Sequence, residues 1–162
     1  MEADSGRGGL TMATEDIAIL GVGMHPWGKW GRNFTEYGIE AANAALADAD
    51  LGWRDIQLVC GGETIRNGYP GFVSGSAFSQ ALGWTGVPVA SSYGACASGT
   101  QAIQTARAQI LAGMVDVALV VGADAAPKGF FAPAGNASGN DPDWLRFHLI
   151  GATNPIYFGL YA

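Results

Sequence analysis

The residues best suited to chemistry lie in one short segment, VPVASSYGACASGTQAIQTARAQILAG, which surrounds Cys96. A β-type run from Val87 to Ser92 ends there, and Tyr93, Gly94 and Ala95 lead into Cys96. Ala97-Ser98-Gly99 then opens a helix of small residues and glutamines, expected over Ala97 to Met114. A thiol at a helix N-terminus meets the positive end of the helix dipole and N–H groups that have no intrahelical partner. Both favour the thiolate, which is the nucleophile. The same N–H groups can bind the oxyanion of a tetrahedral acyl intermediate. Gly94 and Gly99 allow substrate and backbone to approach closely, and Gly94, Ser98 and Gly99 are the candidate substrate-binding residues. Spacing alone is equally compatible with a small buried structural cysteine.

Other segments carry weaker signals. Cys60 and Cys96 have no CxxC spacing, so neither a zinc site nor a structural disulfide is expected. Cys60 reads as strand core. Gly21-Val22-Gly23 resembles a dinucleotide fingerprint only superficially, because Pro26 interrupts the place where the helix should begin. Gly94-Ala95-Cys96-Ala97-Ser98 approaches a cysteine version of the α/β-hydrolase elbow, with the last glycine displaced and no triad partners visible. Trp27, Trp30, Tyr69, Trp84 and Trp144 are compatible with a lipid channel, but singly placed aromatics are more often core or rim. Glu63 and Asp124 end strands and read as turn residues or caps. Lys128 and Arg146 could attract the phosphates of a ligand but read first as ordinary solvated charges. His25 and His148 read as structural.

The elements that must position Cys96 follow from periodicity. Asp16 to Met24 (DIAILGVGM) reads as a buried strand closed by glycines. A helix is expected from Thr35, capped by it, with Ile39, Ala42, Leu46 and Ala49 on one face and Leu51-Gly52 at its end. Strands are expected at Gln57 to Gly61, Val87 to Ser92 and, fully buried, Asp116 to Gly122. Pro70-Gly71 breaks the chain before a short helix in FVSGSAFSQALGW. In the helix after Cys96, Ile103, Ala106, Ile110 and Met114 make an apolar face while Ala102 and Ala108 keep other faces narrow, so it should pack deeply on several sides. The order β-α-β-α-β-α-β indicates an α/β layered fold. Residues 1–13 read as a flexible tail with Met12 a possible natural start, 14–124 as the core, and 125–162 as the start of a loop region. A helix is expected after Asn154-Pro155, and its unterminated pattern at Ala162 suggests a piece of something longer.

The 162 residues are 49% hydrophobic and only 14% charged, a globular composition. A net charge of −6, from 14 acidic and 8 basic residues, argues against a nucleic-acid partner. No apolar run is long enough to suggest a membrane span. The acidic, polar N-terminus lacks a secretory pattern, so a cytoplasmic location is expected.

YGACASGTQAI, followed by ARAQILAGMVDVALVVGADA, resembles the active-site block of thiolases. IAILGVGMHPWGKWGRNFTEYGIEAANAALADA and DPDWLRFHLIGATNPIYFGLYA resemble the branch associated with sterol carrier protein, many of whose actinobacterial members are called lipid-transfer proteins. The resemblance implies the N-terminal half of a layered α/β thiolase fold and an acyl-CoA C-acyltransferase of lipid or sterol metabolism. Cys96 would take the acyl group as a thioester, and coenzyme A would remove it. The backbone N–H of Cys96 would supply half of an oxyanion hole. Coenzyme A thioester enters as substrate, and no separate cofactor is implied. The strand at 87–92 would pair across a homodimer, the region after Asp124 would cover the substrate, and a heteromeric partner subunit is a further expectation. The family's general-base His, second Cys and Gly-rich donors have no match here, so the chain as given should be catalytically incomplete and, with faces left uncovered, prone to self-association. Two alternatives remain: a non-catalytic truncated or split chain that binds acyl-CoA or a partner subunit, and a retro-aldolase acting on sterol side-chain acyl-CoA.

Overall fold

The computed structural model describes residues 17–64 and 74–125, together with Gly159 and Tyr161. The chain divides into one unit over Met1–Ala125 and another over Ala126–Ala162. The first unit contains, in order, α1 (Phe34–Asp48), a 3-10 turn (Trp53–Asp55), β1 (Leu58–Gly62), α2 (Ser74–Leu82), β2 (Val89–Ser92), α3 (Ser98–Leu111) and β3 (Ala118–Gly122). In the second, Gly159 and Tyr161 are helical. Tyr69, Pro70, Gly71, Lys128, Trp144, Arg146, His148, Asn154 and Pro155 lie outside the described residues, so the readings made of them stay untested.

Helix α1 begins one residue earlier than expected, and its cap is Asn33 rather than Thr35. The Asn33 side chain accepts from the Glu36 N–H at 2.9 Å, while the Glu36 carboxylate accepts from the Asn33 N–H at 2.8 Å. This reciprocal capping box satisfies two donors that a helix start otherwise leaves open. Phe34, Gly38, Ala42 and Leu46 form the buried stripe at helical spacing. Ala49 caps the other end, and Asp50 turns the chain away with φ 54°.

The three strands form one parallel sheet in the order β2-β1-β3. Side chains alternate across it, and each face is covered by helix. Val59, Leu119 and Val121 meet Phe34, Ala42 and Leu46 of α1 and Phe78 of α2, with Ile56 completing the cluster. Phe34 and Phe78 meet edge to face at 5.8 Å. On the opposite face Leu58 and Cys60 meet Ala102 and Ala106 of α3. Parallel strands need helical crossovers, and the result is a helix–sheet–helix layering of the kind expected. Because Gly62 pairs with both Ser92 and Gly122, the three carboxyl ends of the strands finish level with one another.

Three expectations are corrected. No strand forms over residues 17–24. That run lies on α1 instead, so close that a Cβ at Gly21 or Gly23 would stand 2.4 Å or 2.1 Å from the Ala45 or Ala41 carbonyl oxygen. The Val22 N–H donates to the Asp48 carboxylate at 2.9 Å, which anchors the run to the helix. The run and β3 both line a cleft of about 840 Å³, and among the described residues the run pairs with no strand. The second correction concerns β3, which is not fully buried: Leu119 and Val121 are buried against α1 and α2, Ala118 and Val120 are half-buried against the α3-side cluster, and Gly122 is exposed. The third is that α3 buries Ser98, Ala102 and Ala106, while Ile103 and Met114 are exposed. The small side chains allow the helix to sit close to the sheet, and its larger ones face away.

Ile19 (83% exposed), Leu20 and Val22 line that cleft with their apolar side chains open, and Met24 and Trp27 (92% exposed) follow in the same run of chain. Patches of this kind drive association. The chain is therefore expected to self-associate as its concentration rises. Sedimentation velocity over a dilution series checks this, and a concentration-independent monomer would refute it.

Candidate active site

Cys96 lies four residues beyond the end of β2, at the carboxyl edge of the parallel sheet, where ligands of α/β folds bind. The turn that carries it is closed by backbone bonds from the Ala97 N–H to the Gly94 carbonyl (3.0 Å) and from the Ser98 N–H to the Ala95 carbonyl (3.1 Å). Ala95, immediately before the thiol, has φ 48°. For a residue with a Cβ this left-handed conformation costs about 1–2 kcal/mol, so its surroundings must hold it there. The Cys96 side chain is exposed.

The Ala95 carbonyl oxygen gathers three donors. Besides the Ser98 N–H, the Ser98 hydroxyl donates to it at 2.7 Å and the Thr64 hydroxyl at 3.0 Å. The Ser98 hydroxyl also accepts from the Gly94 N–H at 2.9 Å. Ser98 is buried and uses its hydroxyl to bind the turn to the start of α3. The Gln101 side chain lies against Gly94, within 2.5 Å of where a Cβ would be, whereas among the described residues nothing stands within 4 Å of such a position at Gly99. Gly99 lines the cleft between α3, β3 and the 17–24 run. A shallow groove of about 630 Å³ runs from Tyr93 and Ala97 along Thr100, Gln101 and Gln104.

Two other strand ends converge on this turn. The Thr64 N–H lies 3.0 Å from both carboxylate oxygens of Asp124. Asp124 thus caps the end of a neighbouring strand, as a strand-end acid was expected to act. Glu63 is buried at the end of β1. Thr64 is absent from the expectations drawn from sequence. The available signal was its position, two residues past Gly62, matching Asp124 two residues past Gly122.

The remaining candidates fall elsewhere. Cys60 is 1% exposed in the sheet core, as expected. Burial pushes its thiol above the ordinary range, because the thiolate would lose its hydration. The unfolded chain ionises first as pH rises, so this contribution to stability holds below the ordinary thiol range and is lost above it. The His25 ring meets the edges of Trp30 and Tyr37, with Glu40 3.5 Å away, a position on α1's flank and not at the turn. Trp27, Trp30 and Trp84 are exposed and are not part of either buried core cluster. Among the described residues no group of His, Cys, Asp and Glu could hold a metal ion. Among them no helix is long and apolar enough to cross a membrane.

The contrast between the thiols gives a direct check. Iodoacetamide should modify Cys96 in the folded chain and spare Cys60, and both should react in denaturant. Peptide mapping reads the two sites separately, and equal labelling under native conditions would contradict the burial of Cys60.

The family profile described as "Beta-ketoacyl synthase, N-terminal domain" matches residues 17–134, which include the Cys96 turn and all three strands. The chain belongs to this family, within the thiolase superfamily. An acetyl-CoA acetyltransferase of Methanocaldococcus jannaschii is 29% identical over 91% of the chain and 38% of its own length. Sterol carrier protein 2 of Bos taurus is 32% identical over 70% of the chain and 21% of its own length. The chain thus spans well under half of these relatives. The solved acetyl-CoA acetyltransferase of Syntrophomonas wolfei superposes with a TM-score of 0.57 at 24% identity, covering 63% of this chain and 27% of that one. That likeness shows the thiolase-like fold. The thiolase resemblance read from the Cys96 block, and the sterol-carrier-protein branch read from the segments that flank it, are matched by these relatives.

Proposed function

We propose that this thiolase-superfamily chain carries the nucleophile half of an acyl-CoA C-acyltransferase, with Cys96 as the acyl acceptor. The observation that carries the reading is an exposed thiol on a strained turn at the carboxyl ends of parallel strands, within the matched family segment. In the first step the Cys96 sulfur attacks the thioester carbonyl of an acyl-CoA. The carbonyl oxygen takes the negative charge, and the Cys96 backbone N–H is the proposed donor to it. Collapse of the adduct breaks the carbon–sulfur bond to coenzyme A, which leaves as thiolate and takes up the proton released by Cys96. The acyl group is then held as a thioester on Cys96 until coenzyme A, or a carbon nucleophile in the condensing direction, removes it.

Gly99 is the substrate-facing glycine in this reading, supported by the open space beside it among the described residues and its place three residues after Cys96. Gly94 and Ser98 contribute by shaping the turn. A homodimer joined through β2 also belongs to the proposal, supported by the position of β2 at the edge of the sheet. Lipid or sterol acyl groups are the proposed substrates, on the strength of the sterol carrier protein 2 relatives.

The second reading is a chain that binds acyl-CoA or a partner subunit without turnover. Incubation with acetyl-CoA followed by intact-mass spectrometry separates the two. A single acetyl adduct on Cys96 supports the acyltransferase reading. Binding of acetyl-CoA without an adduct supports the non-catalytic one.

A further inference from the structure

We propose that Thr64 is a positioning residue for Cys96, an inference that rests on the nucleophile reading above: its hydroxyl, anchored through Asp124, holds the left-handed Ala95 turn in place against the sheet. Two of the donors on the Ala95 carbonyl oxygen come from Ser98, three residues along the same segment. Those bonds close the turn on itself and would survive if the whole turn rotated. The third comes from Thr64, beyond the end of a different strand, and it fixes the turn relative to the sheet.

Thr64 is itself held by its neighbour. Its N–H reaches both oxygens of the Asp124 carboxylate, and a charged acceptor makes a backbone bond of this kind stronger than a neutral one. Gly62 and Gly122 are paired in register, and Thr64 and Asp124 each follow two residues later. The connection therefore runs from the end of β3 through the end of β1 to the turn that follows β2. A non-glycine residue in the left-handed region persists only where its surroundings over-determine it. Thr64 supplies the part of that constraint which comes from outside the Cys96 segment.

This placement matters for acyl transfer more than for simple thiol reactivity. Acyl transfer needs the sulfur and the oxyanion donor in a fixed relation to one carbonyl. Alkylation by iodoacetamide forms no oxyanion and asks only for an accessible thiol. Thr64→Val removes the hydroxyl and keeps the shape of the side chain. It should slow acetylation of Cys96 by acetyl-CoA by about 10-fold to 100-fold. Iodoacetamide alkylation should stay within about twofold of the parent. Thr64→Ser, which retains the hydroxyl, should recover most of the acetylation. Ala95→Gly placed in the Thr64→Val chain should also recover it in part, because glycine enters the left-handed region without steric cost.

Rates by intact mass, with a Cys96→Ala control, decide among the outcomes. Acetylation of Thr64→Val at the parent rate, or a Thr64→Ser chain no better than Thr64→Val, overturns the positioning role while leaving the nucleophile reading intact. If Thr64→Val loses acetylation and alkylation together, recovery of acetylation by the added Ala95→Gly still supports the proposal, and no recovery overturns it. A parent chain that forms no Cys96 adduct overturns the nucleophile reading and this proposal with it.

Discussion

Replacing Cys96 with alanine is expected to abolish acetyl transfer from acetyl-CoA to the chain, a loss of about 10³-fold or more, while leaving the fold unchanged. The size follows from the chemistry: without the sulfur there is no atom on this turn that can form the thioester. The second thiol cannot take over. Cys60 lies in the sheet core beneath α3, and burial holds it in the neutral form. The stability prediction follows from exposure. Cys96 makes no contribution to either buried cluster, and exposed substitutions away from caps and cores alter stability by about 0.5 kcal/mol or less. Loss of the adduct with an unchanged melting curve is thus the expected pair of results. An adduct that persists in Cys96→Ala would move the chemistry elsewhere, and a collapsed melting curve would mean that the thiol has a packing role.

Much of this arrangement was legible in the residues because two periodicities are strong. Short β-branched runs bounded by glycine marked β1, β2 and β3 to within two residues at each end. The Cys96 block gave both the turn and the helix after it. What failed did so for identifiable reasons. The run at 17–24 has the composition of a strand, but a strand is defined by a partner, and composition carries no information about whether one lies within reach. Asn33 displaced Thr35 as the cap because a cap is decided by two reciprocal hydrogen bonds, and Glu36 stands at the correct offset only from Asn33. Helix α3 is not enclosed on several sides, because Ala102 and Ala106, whose small size permits a close approach to the sheet, meet Leu58 and Cys60 while Ile103 stays exposed. Thr64 escaped notice because its contact with Ala95 joins residues 31 positions apart, and no local pattern announces such a bond.

Glycine positions give the other large expected effect, because the same substitution should act in opposite directions at two of them. At Gly75, in the first turn of α2, an added Cβ would lie 2.3 Å from the Ala90 carbonyl oxygen. The Gly75 N–H also donates to the Ser91 hydroxyl at 2.8 Å, and a Cβ at Gly61 would lie 2.3 Å from the Gly75 nitrogen. Backbone therefore rests on backbone here, and neither side has a flexible end that can yield. Gly75→Ala must lift α2, and with it Phe78, which is fully buried among Phe34, Val59 and Leu119. The expected cost is about 3 kcal/mol, at the upper end for overpacking a filled core. Gly99 is the opposite case. It lies in the first turn of α3 with open space where a Cβ would go, and alanine is the better helix former by up to about 1 kcal/mol. Gly99→Ala should therefore hold or raise stability. If Gly99 is the face that substrate crosses to reach Cys96, the same methyl should slow acetylation by acetyl-CoA although the protein is no less stable. Denaturant melts of both variants, read beside their acetylation rates, test the two claims together. A Gly75→Ala chain that melts with the parent would mean that α2 does not sit directly on the sheet. A Gly99→Ala chain that is stable and acetylates at the parent rate would remove Gly99 from the substrate path.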